Sequence, residues 1–176
     1  TLSNAINFIQ AGSNRNNLET TGVTTLSGPL TISGTGNNAN ILQNVGGTLT
    51  TVTGNLTAAS SFTGNLSFRG NILVTGTINT PGANIDLNTG GTTTVSSTGN
   101  VWTFTQFQAS NNVLKVGAEN ALPTNARVQF SGNSTGGGLD LNGFNQSIPG
   151  FTSDSGTIPA PLARIFNNSA TNSTLT

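Results

Sequence analysis

The chain has 176 residues and a formal net charge of zero, from five Lys/Arg and five Asp/Glu. Thr (30), Asn (26), Gly (23) and Ser (17) make up more than half of it, and Cys, His, Met and Tyr are absent. These absences exclude disulfides, thiol and imidazole chemistry and the commonest general bases, and no cofactor is expected. Arg15, Arg69, Lys115, Arg127 and Arg164 are scattered among Glu19, Asp86, Glu119, Asp140 and Asp154. No basic patch for nucleic acid results, and no apolar run is long enough for a membrane-spanning helix.

In chain order, Thr1-Leu2-Ser3-Asn4 has neither the basic start nor the apolar core of a signal peptide. With no initiator Met, the segment reads as processed or excerpted. Leu2 to Ile9 alternates with a strand period. A unit of Gly, one spacer and an apolar residue then recurs: Gly28-Pro29-Leu30, Gly47-Thr48-Leu49, Gly54-Asn55-Leu56, Gly64-Asn65-Leu66, Gly70-Asn71-Ile72, Gly76-Thr77-Ile78 and Gly99-Asn100-Val101. Two-residue alternation at Leu30/Ile32, Ile85/Leu87, Val128/Phe130 and Leu139/Leu141 marks half-buried strands. Gly- and Asn-rich turn signals separate them every six to ten residues or so. The hydrophobic fraction, 33%, is low for a thick core but sufficient for a thin stack of single aliphatics. Disorder does not fit, because disordered chains are usually charge-rich. The fold expected from these cues is all-β: one β-solenoid over residues 1–176, rather than a sandwich. At about 20 residues per coil it would have roughly eight short coils, each advancing ~4.8 Å.

Val101-Trp102-Thr103-Phe104-Thr105-Gln106-Phe107 is the aromatic cluster. Alternation puts Trp102 and Phe104 on one face, either as a platform for sugar rings or, the favoured reading, as a plug inside the coil. Val113-Leu114-Lys115-Val116 turns Lys115 to solvent, away from Leu114 and Val116. Glycoside hydrolysis ordinarily needs two carboxylates. Asp140 and Asp154 are the nearest pair in sequence, but both read better as a strand residue and a turn residue. Gly46-Gly47 and Gly90-Gly91 are followed by Thr, not by the acidic ligands a calcium site requires.

The last third, about residues 110–176, carries Asn120-Ala121-Leu122-Pro123-Thr124, Val128-Gln129-Phe130 and Gly138-Leu139-Asp140-Leu141-Asn142-Gly143-Phe144-Asn145-Gln146-Ser147-Ile148. Ser155-Gly156-Thr157-Ile158 and Asn167-Asn168-Ser169-Ala170 follow. This stretch resembles the autotransporter-associated β-strand repeat of the passenger regions of giant bacterial surface proteins. Pro149-Gly150-Phe151 and Pro159 to Arg164 depart from the pattern. The resemblance implies a right-handed parallel β-helix displayed outside the cell. Alternation within it predicts that Leu139, Leu141, Phe144 and Ile148 are buried and that Asp140 is exposed.

Together these features point to a non-enzymatic structural or adhesive segment of an extracellular bacterial surface protein, forming a stalk, coat or filament. The alternative is a carbohydrate-binding or carbohydrate-cleaving β-helix of tailspike type. Both ends read as strands, so flanking repeats or self-association through end strands are the expected partners. Surface glycans or host matrix are possible targets on either reading. No membrane insertion by this segment is expected.

Overall fold

A computed structural model describes residues 1–10, 15–34, 40–108, 111–131, 137–153 and 163–176. Every strand pair in it is parallel, and no helix occurs among the described residues. The eighteen strands of the described residues form three sheets, the faces of a parallel β-helix. Face one holds β1 (Ile6–Gln10), β4 (Leu30–Gly34), β7 (Leu56–Ala58) and β10 (Ile78–Asn79). Face two holds β2 (Asn16–Thr21), β5 (Asn40–Val45), β8 (Asn65–Arg69), β11 (Asn84–Leu87), β13 (Phe104–Phe107), β15 (Arg127–Phe130) and β17 (Phe151–Ser153). Face three holds β3 (Thr24–Leu26), β6 (Thr50–Val52), β9 (Ile72–Val74), β12 (Gly91–Val95), β14 (Asn112–Val116), β16 (Gly137–Asp140) and β18 (Ala163–Phe166).

The core is a set of vertical columns, because pairing in register sets each inward side chain on its counterpart one coil away. On face three, Leu26, Val52, Val74, Val95 and Val116 stack in one column. Thr24, Thr50, Ile72, Thr93, Leu114, Leu139 and Ile165 form a second. On face two, Leu18, Leu42, Phe68, Leu87, Phe107 and Phe130 do the same, with the Phe107 and Phe130 rings stacked at 5.0 Å. Single aliphatics thus suffice as a core, as the low hydrophobic fraction requires.

The column numbers also correct the coil count. Along Leu26, Val52, Val74 and Val95 successive coils take 26, 22 and 21 residues, and from Leu114 to Leu139 to Ile165 they take 25 and 26. Coils therefore average more than 20 residues, and each seven-stranded face spans six turns, about 30 Å at the usual strand spacing. The extra residues lie at corners, where the turns between strands vary in length.

The Gly-x-apolar unit marks these corners. Gly28, Gly54 and Gly76 lead into face one at Leu30, Leu56 and Ile78, which stack on one another. A Cβ on Gly54 would collide with the Gly28 carbonyl, and one on Gly76 with that of Gly54. Only glycine lets these corners approach so closely.

Candidate functional site

The aromatic pair separates. Trp102 is fully buried, and its indole Nε1–H donates to Thr105 Oγ1 at 2.8 Å. Phe104 points outward in β13, half-buried, while Thr105 and Phe107 point in. Thr103 lies at a bend before the strand starts, which breaks the alternation that would have put both rings on one face. Trp102 is therefore a core plug, and the pair forms no sugar platform.

Asp140 is not exposed, contrary to the strand alternation. It is 2% exposed, and its Oδ1 accepts the backbone N–H of Asn142 at 2.9 Å and of Asn168, one coil on, at 3.0 Å. The left-handed turn at Asn142 and Gly143 (φ 47° and 84°) folds back over the carboxylate, which ties two turns together. Leu139, Leu141 and Ile148 are buried as expected, whereas Phe144 is only half-buried and packs against the edge of the core. Asp154, read from the sequence as a turn residue, lies outside the described residues. Lys115 is half-buried on the outer side of face three.

Other acids also serve the backbone or the sheet. Glu119 Oε2 accepts the Asn145 N–H at 2.8 Å. Asp86 sits on the outer side of β11, 3% exposed, with Oδ2 accepting the Ser67 hydroxyl at 3.0 Å. Its Oδ1 and the nearby Arg69 Nε are buried without hydrogen-bond partners. Burial pushes the Asp86 carboxyl above its usual value, against the opposing pull of Ser67, Arg69 and Asn88. Among the described residues no three potential metal ligands gather.

A shallow groove of about 310 Å³ lies where face two turns into face three. Gly47, Thr48, Leu49, Asn71, Thr92 and Thr94 line it. Its floor is held in place. Asn71 donates its Nδ2 to the Gly47 carbonyl at 3.2 Å and accepts the Thr92 N–H on Oδ1 at 3.1 Å. From beneath, Asn44 Nδ2 reaches the Thr48 hydroxyl at 3.2 Å. The signals for it were in the sequence, as Gly47-Thr48-Leu49 and Gly70-Asn71-Ile72. They become a site only when the register sets these segments side by side. No family model, curated protein or solved structure matches the chain.

Proposed function

We propose that this chain is a non-enzymatic structural or adhesive segment of an extracellular bacterial surface protein, a rod-like portion of a stalk, coat or filament. The observation that carries this reading is the unbroken register of faces two and three through six turns. Such a sheet pair transmits tension along its length through backbone hydrogen bonds. The carboxylates Asp140 and Glu119 bind turn backbone rather than one another, which supports a structural use of the acids. The likeness of residues 110–176 to autotransporter passenger repeats supports surface display, since that family extends β-helices outward from the cell.

The partners on this reading are further coils, from flanking repeats or a second copy. Leu2, Ile9 and Val23 in the first coil and Phe151 near the other end are 40, 69, 85 and 61% exposed. Half-buried Ile6 and Leu18, and Ile165 and Leu175, complete the two end surfaces. A polar or covered cap is what a solenoid needs there.

Small-angle scattering of the purified chain tests the rod. Because one chain is only about 30 Å long, the rod shows in end-to-end association: growth in length at unchanged cross-section as concentration rises is expected, and side-by-side thickening would refute the reading. Protease shaving of intact producing cells tests display: release of peptides from this segment is expected, and complete protection overturns it.

A further inference from the structure

The outer side of face three carries two columns of side chains. The register places Thr25, Thr51, Leu73, Thr94 and Lys115 in one. The other runs beside it, with Val23, Leu49 and Asn71 each one residue ahead of its strand and Thr92 paired with Val113. Over the first four coils of this surface there is no charge. It is instead a mixture of aliphatic side chains and hydroxyls, with Val23 and Leu49 among the most exposed large hydrophobics of the molecule. The groove opens onto it. Thr92 and Thr94 line the groove and make no side-chain hydrogen bond to any described residue. Asn71 is already committed to Gly47 and Thr92, so the floor is preorganised and costs little ordering on binding.

We propose that this surface binds a neutral polysaccharide laid along the solenoid axis. Successive sugar rings would sit in the groove, one against Leu49 and another with its hydroxyls on Thr92 and Thr94 two coils on. The absence of charge selects an uncharged ligand over an acidic glycan or a nucleic acid. The aliphatic side chains match the C–H face of a pyranose ring, and the free threonine hydroxyls match its O–H edge. Coils advance ~4.8 Å, comparable to the length of one sugar residue in an extended chain, so successive coils meet successive sugars. The proposal rests on the adhesive reading above and names its target class.

Affinity electrophoresis through gels containing soluble β-glucan, mannan or arabinoxylan tests it, with alginate as the acidic comparison. The wild-type chain should be retarded by at least one neutral polymer and not by alginate. Leu49→Asp, and the double variant Thr92→Val with Thr94→Val, should each weaken binding about tenfold, equivalent to ~1.4 kcal/mol. Thr31→Asp, on the outer side of face one, should bind as wild type. Thermal unfolding verifies that each variant is folded, and the Thr→Val variant, which keeps shape and strand preference, carries the test if Leu49→Asp does not fold. A wild-type chain unretarded in every neutral gel overturns the proposal, as do retardation by alginate alone and binding indifferent to both groove variants. A wild-type dimer dissolved by Leu49→Asp would give the surface to a second copy and also overturn it. Scattering measures the rod independently, so failure here leaves that reading intact. Shortening of the polymer would instead sink the non-enzymatic assignment.

Discussion

The first four coils and the later ones close their third side differently. Up to Asn79, face one is a true sheet in which Ile6, Leu30, Leu56 and Ile78 stack in register. Beyond it, among the described residues, the side continues as single bridges, Asn79 to Val101 and Gln146 to Leu175. Side chains supplement the backbone bonds that remain, such as that from the Asn120 N–H to the Asn145 carbonyl at 3.0 Å. Asn100 donates to the Ala121 carbonyl at 2.8 Å and accepts the Ile78 N–H, also at 2.8 Å. Gln146 accepts the Leu122 N–H at 3.1 Å and donates to the Ala118 carbonyl at 2.8 Å. Pro123 and Pro149 flank this stretch, and proline has no N–H to give a ladder. The lesson is that a solenoid can lose one sheet and keep its register, provided buried amides supplement the backbone bonds that remain.

Substitutions at the seam and on either side of it sharpen the contrast. Trp102 lies where the sheet gives way to bridges and fills the core there, so Trp102→Ala should cost about 3–5 kcal/mol. Phe104→Ala, two residues on but facing outward, should cost far less. Equal losses in chemical denaturation would show that both rings are core. In the regular half, Gly54→Ala drives a methyl into the Gly28 carbonyl, backbone that cannot rotate away. A loss of about 3 kcal/mol is expected, at the upper end for overpacking, and a loss under about 0.5 kcal/mol would show that the corner can open. In the irregular half, Gln146→Leu leaves the Leu122 N–H and Ala118 carbonyl without their partner, which should cost about 2 kcal/mol. Hydrogen exchange should then quicken locally at Leu122, and unchanged exchange would mean that water replaces the amide.

Asp86 gives the smallest effect, and it depends on pH. Its carboxyl binds a proton more tightly folded than unfolded, because burial penalises the anion. The native state therefore holds more protons in the window between the ordinary carboxylate value, about 3.9, and the raised one. Stability should rise as pH falls through that window and lose this contribution as pH climbs above it. Asp86→Asn should flatten the rise and melt at or slightly above the wild-type temperature at neutral pH. A variant whose melting temperature parallels wild type across the acid range would show that Asp86 does not control it.

The fold was legible because its signal repeats. Alternation at Leu30/Ile32, Ile85/Leu87 and Val128/Phe130 marks inward columns, and Gly-x-apolar marks corners, so many weak cues agree. The site was less legible, since it depends on neighbours one coil away. Asp140 sits at an outward strand position, yet a turn closes over it, and nothing local announces that Asn168 of the next coil will share its oxygen. Trp102 alternates with Phe104 on paper, but a bend at Thr103 cancels the period. The coil count missed for a related reason: alternation measures strands and is silent about how much chain each corner holds. The groove needs Thr48, Asn71 and Thr92 from three successive coils, which only register brings together.

Coil lengths between 21 and 26 residues along one column, with no shift in pairing, have an evolutionary meaning. Length is absorbed where the chain turns, so a short insertion or deletion at a corner leaves every facing pair where it was. A lineage carrying such a scaffold can alter its surface corner by corner while the stacked columns inside are inherited unchanged.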